Sequence, residues 1–200
     1  MPKLYPGYRD EIQKKIIGEA FALFLEKGFE KTTMDDVASR LGVTKPAIYR
    51  YFRSKEELFG AAVGVTLMAE FRESFAGSFA GDDLEAGADL FFDALLALSR
   101  RYSAIAMDVM LLTGRNESFR EEVPGLQLEG HEMVREFFEE QKRRGKIRTE
   151  ISGKDLALLC IIIAKGLIGS VMAGMDPAEA KRAWISGFGT LTGIPTRRRR

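Results

Sequence analysis

The stretch "TTMDDVASRLGVTKPAIYRYFRSKEEL", from Thr32 to Leu58, decides how this chain folds. It opens with a capping box, in which Thr33 caps a helix and Asp36 is its partner three residues later. Gly42 is placed to end that helix in a left-handed conformation after little more than two turns. A tight turn then leads into another short helix, capped by Thr44. Two short helices joined by such a turn form the helix-turn-helix pattern.

The second helix of this pair has a proline in its first turn. Pro46 has no amide hydrogen, but proline is tolerated where that donor had no partner. We therefore expect the Thr44 hydroxyl to accept a hydrogen bond from the amide of Ala47. Ser54 and Glu57 form a further capping box, which predicts a long fourth helix from residue 55 to about residue 79.

The second helix also has two chemically different sides. Ile48 and Phe52 fall on one side at helical spacing, where they can anchor the helix to its neighbours. The opposite side carries Ala47 and Arg50, so it is short at its front and cationic further along. A helix of this kind can enter a major groove about 12 Å wide and reach base edges and phosphates.

Positive charge is concentrated in this region. The chain as a whole has 30 Lys and Arg residues against 29 Asp and Glu residues. Residues 37–55, however, contain five basic residues and no acidic one, the five being Arg40, Lys45, Arg50, Arg53 and Lys55. A local positive potential suits docking on a polyanion at one place.

The quoted stretch resembles the DNA-binding region of TetR-family transcriptional regulators, and the likeness extends upstream through "AFALFLEKGFEKTT", residues 20–33. It is carried by Gly42, Val43, Thr44, Lys45, Tyr49, Tyr51, Phe52 and Lys55. The resemblance implies that phosphates are held by Thr33, Thr44, Tyr49, Tyr51 and Lys55, and that bases face Lys45, Ala47 and Arg50. Pro46 and Ala47 depart from the pattern, which commonly has glycine or hydroxyl residues there. Readout at residue 47 is therefore expected to be apolar, for instance to a thymine methyl.

Physical chemistry supports parts of this assignment and leaves others open. Free amides and the helix dipole favour an anion at the predicted helix N-termini of Thr33, Thr44 and Lys55. Arg50 can bond guanine bidentately. Tyr49 and Tyr51 could instead be half-buried packing residues, and Arg53 fits a solvated or phosphate-side charge better than a base reader.

Helix signals continue along the chain, and no convincing strand is found. The first helix, from residue 8 to residue 27, is followed by Gly28 and has an apolar face of Ile12, Ile16, Ala20, Phe21, Phe24 and Leu25. The sequence predicts an all-α fold, in which an N-terminal three-helix helix-turn-helix domain, residues 1–54, precedes a larger helical effector-binding and dimerisation domain, residues 55–196. Residues 197–200, all arginine, are expected to be a disordered basic tail, with a non-specific DNA tether as the alternative.

The middle helices of the larger domain carry wide apolar faces rich in Phe and Met. Such side chains line adaptable apolar pockets, although an ordinary packed core remains the alternative. The candidate pocket residues are Phe91, Phe92, Leu95, Met107, Met110, Leu111, Leu126, Met133 and Phe137. Pro124 is expected to break or kink the helical segment from about residue 117 to about residue 144. His131 fits a surface position, or a polar contact in the pocket.

The last two helices, which start after Ser152 and Asp176, are expected to form a homodimer interface. The first of them is apolar on more sides than its own domain can cover. The candidate interface residues are Ile163, Leu167, Val171, Trp184, Gly187, Phe188 and Leu191. A two-fold dimer would present two recognition helices to an inverted repeat with half-sites roughly 34 to 36 Å apart or somewhat more. Residues 156–175 approach transmembrane length, but Lys165 near their centre favours a buried helix.

Several other classes of protein are disfavoured. One His and one Cys cannot form a usual zinc site, and neither a nucleophile–base motif nor a Gly-rich phosphate loop is found. No cofactor or metal is expected, and the single cysteine and the lack of a signal peptide favour the cytoplasm. The resulting interpretation is a repressor released by an unidentified small, largely apolar effector, with no membrane partner. An enzyme that uses the apolar cavity and a helical protein that binds an acidic partner remain alternatives.

Overall fold

The computed structural model describes residues 8–195, apart from the side chains of residues 118 and 122–127. Within that range the chain forms nine α-helices and no β-strand, as the sequence predicted. The helices are α1 (Tyr8–Lys31), α2 (Met34–Leu41), α3 (Lys45–Tyr49), α4 (Lys55–Ser78), α5 (Leu84–Arg101), α6 (Ser103–Arg115), α7 (Glu117–Arg143), α8 (Gly153–Met172) and α9 (Pro177–Thr192).

The chain divides into two compact units. Unit 1 comprises Met1–Ala69 and Tyr102–Leu126, and unit 2 comprises Glu70–Arg101 and Gln127–Arg200. This division differs from the predicted boundary after residue 54, because α6 packs against α1 within unit 1 although it lies far along the chain. The helix-turn-helix elements α2 and α3 therefore share a compact unit with α6.

A cluster of phenylalanines holds unit 1 together. The Phe59 ring, on α4, contacts Phe24 and Phe29 of α1, with ring centroids 4.9 Å and 5.0 Å away. Phe119 of α7 adds a fourth ring 6.0 Å from Phe59. All four side chains are buried, so they fix α1, α4 and the start of α7 to one another.

The ends of α1 and α2 are close to those expected from the sequence. Both hydrogen bonds of the Thr33–Asp36 capping box are present, and Gly42 ends α2 with a left-handed φ of 67°. Gly28 also has a positive φ, of 77°, but its ψ of 167° is extended rather than left-handed helical. α1 therefore kinks at Gly28 and continues to Lys31, instead of ending there as predicted.

One further expectation about the helices was wrong. Leu25, which was placed on the apolar face of α1, is 41% exposed, while Ile17 and Leu23 are buried in its place. α7 runs through Pro124 without the break that was one of the predicted outcomes. A long helix can pass through a proline, since the ring removes one intrahelical hydrogen bond and the turns on either side keep theirs.

The core of unit 2 is built around α5, α8 and α9, with aromatic side chains from α4 and α7. The indole N–H of Trp184, on α9, donates a hydrogen bond of 2.8 Å to the carbonyl of Ala88 on α5. Cys160, on α8, is buried in the same core, and burial raises the pKa of its thiol to about 12. The thiol is therefore protonated at neutral pH.

Among the described residues, α8 is the one helix long and apolar enough to cross a membrane by length and composition. One of its sides packs into the core of unit 2 through Leu156, Ala157, Cys160, Ala164, Ile168 and Val171. This packing accords with the expectation of a helix buried against its neighbours.

Candidate nucleic-acid interface

α3 has one buried and one exposed side, as predicted. Ile48 is 1% exposed and Phe52, just after the helix, is 2% exposed. Lys45, Tyr49 and Arg50 are exposed to solvent. The helix ends early, at Tyr49, but the Phe52 amide still donates to the Ile48 carbonyl at 3.2 Å, so the turn is held in place. The two apolar side chains thus anchor a short cationic surface.

The hydroxyl of Thr44 does not cap α3, contrary to expectation. The Ala47 amide donates instead to the backbone carbonyl of Thr44, at 2.9 Å. This main-chain bond already satisfies the amide that the hydroxyl was expected to bind. The exposed Thr44 hydroxyl is therefore available to an external acceptor or donor, as a phosphate ligand needs to be.

Thr33, by contrast, is already engaged. Its amide and its hydroxyl both donate to the Asp36 carboxylate, at 2.8 Å and 2.7 Å. A hydrogen bond from the Lys27 ammonium, followed by those from Thr33, holds the pKa of Asp36 well below its usual range. A phosphate at Thr33 would have to compete with this carboxylate.

Lys45 has an acidic neighbour that the sequence reading missed. Its ammonium lies 2.8 Å from the Asp35 carboxylate of α2, and this hydrogen bond raises the pKa of Lys45. Both side chains are largely solvated, at 45% and 63% exposed. The pair is therefore a surface contact that a phosphate or a base can replace. The ten-residue separation across the turn carries no periodic signal that could have revealed it.

The two tyrosines occupy different environments. Tyr49 is 45% exposed, which leaves its hydroxyl accessible to DNA. Tyr51 is half-buried, and the Arg9 guanidinium lies 6.0 Å from its ring centroid. Arg9 was not predicted as a site residue, because its distance in sequence from the helix-turn-helix hides this proximity.

Lys55 is held by the end of α1. Its ammonium donates to the carbonyls of Phe29, at 2.9 Å, and Glu30, at 3.4 Å, and lies 4.1 Å from the centroid of the Phe29 ring. The structure therefore places the predicted phosphate ligand in a set of contacts within unit 1. The cation also complements the negative end of the α1 dipole.

Arg50 and Arg53 are the cations of this region that are free to act. Both side chains are exposed, and neither makes an ion pair within the described part of the chain. Ala47 lies beside them, half-buried, with its methyl group as its only side-chain chemistry. The exposed surface thus offers guanidinium, ammonium, hydroxyl and methyl groups close together.

The predicted effector-pocket residues fall in two places. Phe91, Phe92, Leu95, Met133 and Phe137 belong to the core of unit 2, where Phe91 and Phe92 are buried. Met107, Met110 and Leu111 lie on α6 in unit 1 and are 59%, 70% and 48% exposed. The side chain of Leu126 lies outside the described residues. His131 is half-buried on α7.

An open cleft of about 500 Å³ lies elsewhere in unit 2. It is lined by Asp82, Asp83, Leu84, Glu85, Lys146, Ile194 and Pro195, and none of these was predicted as a pocket residue. An ion pair of 2.6 Å joins Lys146 to Asp82 within this lining. Among the side chains that the structure describes, no group of three or more His, Cys, Asp or Glu is placed to hold a metal ion.

The predicted dimer residues are largely turned inward. Trp184, Phe188 and Val171 are buried in the core of unit 2, and Ile163, Leu167, Gly187 and Leu191 are half-buried. The apolar surface that solvent reaches lies on another side of α8. We call it the exposed α8 face, and it consists of Leu158, Leu159, Ile162, Gly166, Gly169 and Met172. The sequence showed that α8 is apolar on most sides, but not which side its own domain covers.

Sequence comparison places the helix-turn-helix in a known family. The family described as bacterial regulatory proteins, tetR family, matches residues 16–62, which contain α2, α3 and most of their supporting contacts. Residues 16–62 are therefore similar to the DNA-binding region of TetR-family transcriptional regulators.

Curated HTH-type transcriptional regulators match part of the chain. YfiR of Bacillus subtilis, an HTH-type transcriptional regulator, is 41% identical over 58 residues, or 29% of this chain and 28% of YfiR. The transcriptional activator FasR of Mycolicibacterium smegmatis is 38% identical over 55 residues, or 28% of this chain and 25% of FasR. The biofilm operon negative regulator IcaR of Staphylococcus aureus strain Newman is 38% identical over 52 residues, or 26% of this chain and 28% of IcaR. The chain therefore matches only about a quarter of the length of these relatives.

Solved TetR structures extend the likeness of fold to most of the chain. A TetR regulator from Chloroflexus aurantiacus is 25% identical with a TM-score of 0.61, and the match covers 90% of this chain and 93% of that one. A Mesorhizobium loti regulator is 20% identical with a TM-score of 0.69, covering 89% and 95%. The fatty acid degradation regulator FadR of Bacillus halodurans is 17% identical with a TM-score of 0.64, covering 92% and 97%.

Proposed function

We propose that this chain is a TetR-family regulator that binds double-stranded DNA through α3 and regulates transcription in the cytoplasm. The observation that carries the proposal is the division of α3 into two sides, with Ile48 and Phe52 buried and Lys45, Tyr49 and Arg50 exposed. A helix anchored on one side and cationic on the other can lie in a major groove without unfolding its own support.

The exposed groups suggest a role for each side chain. The Thr44 hydroxyl and Tyr49 are accessible as phosphate ligands, and the Ala47 methyl group can contact a thymine methyl. Arg50 makes no ion pair within the described residues, so it can bond both acceptors of a guanine. Residues 1–54 would supply these contacts, and residues 55–196 would bind the effector and the second subunit.

The DNA-bound form would be a homodimer. The exposed α8 face presents Leu158, Ile162 and Met172 at 46%, 57% and 47% exposure. A row of large apolar side chains along one helix is costly to leave in water and suits a two-fold contact with the same face of a second chain. We call the helix-turn-helix formed by α2 and α3 the reader. The two readers of such a dimer would recognise an inverted repeat.

A small, largely apolar effector would control the dimer, most simply by releasing it from an operator that it blocks. Exposed Met107 and Met110 offer flexible apolar contacts for such a ligand. FadR of Bacillus halodurans is named for fatty acid degradation, which makes acyl chains a first class to test. IcaR is named a negative regulator and FasR an activator. Whether this chain represses or activates transcription therefore needs a separate experiment.

The first experiment is selection of bound fragments from random and genomic DNA by the purified chain at near-physiological salt. We expect the retained DNA to converge on an inverted repeat. Arg50→Ala should bind that repeat at least about fivefold more weakly, because it removes one bidentate base contact from each half-site and each contact corresponds to about 5- to 150-fold. Arg100→Ala, which removes an exposed arginine from α5, should bind as the wild type does.

Other outcomes point to other functions. Retention of DNA without any shared sequence would leave only electrostatic binding. No retention would contradict the proposal and favour an acidic protein partner for α3. Retention of one shared sequence would argue against such a partner, since a protein surface gives no reason for base preference. Turnover of a bound small molecule would revive the enzyme alternative.

The effector is tested with saturated fatty acids of increasing chain length. We expect a binder to raise the thermal midpoint of the protein and to weaken its binding to the selected DNA by about 5- to 150-fold. A ligand that binds while leaving DNA affinity unchanged would contradict this mechanism for that ligand. A reporter placed behind the selected repeat distinguishes repression from activation.

A further inference from the structure

Asp108 is the one acidic residue of α6, a mainly apolar helix, and nothing in DNA recognition by α3 requires it. Its carboxylate accepts a hydrogen bond of 2.8 Å from the backbone amide of Phe29. The two residues are 79 positions apart in sequence, and both belong to unit 1. This side chain therefore fastens α6 to the end of α1.

The backbone of Phe29 is held at both of its polar groups. While Asp108 accepts from its amide, its carbonyl accepts from the Lys55 ammonium at 2.9 Å. Lys55 is the first residue of α4, immediately after the turn that follows α3. The backbone of this one residue thus joins α6, the end of α1 and the start of α4.

The backbone at this point is shaped to admit the carboxylate. Gly28, with a φ of 77° and a ψ of 167°, turns the chain so that the Phe29 amide leaves the hydrogen-bond ladder of α1. An added Cβ at Gly28 would lie 3.7 Å from the Asp108 carboxylate, so the two groups are in close contact. Without Asp108, this half-buried amide would lose its partner.

α6 also carries an exposed apolar surface next to Asp108. Met107, Met110 and Leu111 flank Asp108 and face solvent, while Ile105 is fully buried. A ligand that bound the exposed side chains and shifted α6 would pull directly on the Asp108 bond. The Asp108 hydrogen bond and the exposed apolar surface therefore lie on the same short helix.

We propose that Asp108 is a positioning residue that holds the backbone of Phe29, and through it Lys55 and the start of α4, in the arrangement that binds specific DNA. This inference rests on the proposed function. Such a role would affect specific binding and not charge attraction to DNA, since an acidic group repels phosphates.

The test compares three variants on the DNA that the wild-type chain selects and on an unselected duplex of equal length. Asp108→Ala should bind the selected DNA at least about fivefold more weakly, with unchanged affinity for the unselected duplex. Asp108→Asn, which keeps an acceptor oxygen, should stay within about threefold of wild type. Glu121→Ala is the matched control, because it removes an exposed acid from unit 1 that makes no described ion pair.

A second measurement reports directly on the hydrogen bond between the Phe29 amide and Asp108. Hydrogen exchange at the Phe29 amide should be faster in Asp108→Ala than in wild type and close to wild type in Asp108→Asn. Wild-type affinity of Asp108→Ala for the selected DNA would overturn the inference. So would a folded Asp108→Asn that binds as weakly as Asp108→Ala.

Misfolding and failure of the proposed function give different results. A misfolded Asp108→Ala would lose binding to both duplexes and its helical circular dichroism, and Asp108→Asn then decides between the outcomes above. A wild-type chain that selected no DNA would refute the proposed function, while the exchange rates at Phe29 would still show whether Asp108 holds that peptide.

Discussion

At the scale of single residues, the cationic side chains of the reader and of the start of α4 differ in the ion pairs and hydrogen bonds that they already make within the chain. Lys45 is paired with Asp35 and Lys55 with main-chain carbonyls, whereas Arg50 and Arg53 make no ion pair within the described part of the chain. Binding DNA therefore costs the arginines fewer existing contacts than it costs the lysines. We expect Arg50 to dominate base discrimination for this reason.

Asp35 should keep the reader selective. Asp35→Asn would free the Lys45 ammonium and remove a negative charge from the DNA-facing surface. We expect several-fold tighter binding to an unselected duplex, a steeper dependence on salt by up to about one counterion, and a smaller preference for the selected sequence. Binding titrations of both duplexes over a range of salt concentrations measure all three.

The control for this variant is Glu121→Gln, which removes an equivalent charge at a position without a described ion pair. It should leave the preference for the selected sequence unchanged. An Asp35→Asn protein with wild-type affinity for unselected DNA would show that the Asp35–Lys45 pair has no influence on binding.

At the scale of helices, the capping box of α2 makes the stability of the reader depend on pH. Contacts from Lys27 and Thr33 lower the pKa of Asp36 in the folded chain from an ordinary value of 3.8. The unfolded chain therefore takes up a proton at this group before the folded chain does. The stabilisation is present in full well above pH 3.8 and is lost progressively as the pH falls below it.

The comparison that isolates this effect is wild type against Asp36→Asn. The wild type should have the higher thermal midpoint at pH 6, because the variant loses the charged contact with Lys27. The difference should shrink as the pH falls from 5 to 3, because the unfolded wild type takes up a proton at Asp36 while the folded chain keeps this carboxylate charged. A difference that stayed constant over this range would exclude Asp36 as the titrating group. Circular dichroism melts at each pH supply the values.

Local signals were sufficient to predict most of the helices. The capping box at Thr33, the left-handed Gly42 and the buried pair Ile48 and Phe52 all follow from residues within a few positions of one another. The errors occurred where a distant contact decides the outcome. The kink at Gly28 is stabilised by Asp108 of α6, and spacing within α1 cannot reveal a partner 79 residues away.

The candidate site was predictable to a similar extent. Exposure of Lys45, Tyr49 and Arg50 follows from the helical period, whereas the engagement of Lys55 with Phe29 depends on how α1 and α4 pack. The inward direction of Trp184 was also missed. An apolar stripe predicts that a face is buried, but not whether its own chain or a second copy buries it.

At the scale of the whole molecule, the exposed α8 face should decide the oligomeric state. Ile162→Glu places a carboxylate at its centre, where contact with a second copy would take its charge out of water. We expect the wild type to have twice the chain mass in solution and the variant to have the mass of one chain. Light scattering coupled to gel filtration measures both.

A matched variant is Leu90→Glu on α5, where an apolar side chain of similar exposure is replaced by the same acid. It should remain dimeric. Melting curves should show that both variants are folded, because neither position is buried in the core. A dimeric Ile162→Glu protein would place the interface on another surface of unit 2.

The buried Cys160 makes the chain convenient for spectroscopic labelling. It is the sole cysteine, and a thiol with a pKa of about 12 inside the unit 2 core reacts poorly with maleimides or methanethiosulfonates at neutral pH. A cysteine introduced at an exposed position outside the proposed DNA contacts, such as Glu11 of α1, would then carry a spin label without prior removal of the native one. Pulsed dipolar spectroscopy on a labelled homodimer would report the separation of the two readers in solution, with and without DNA.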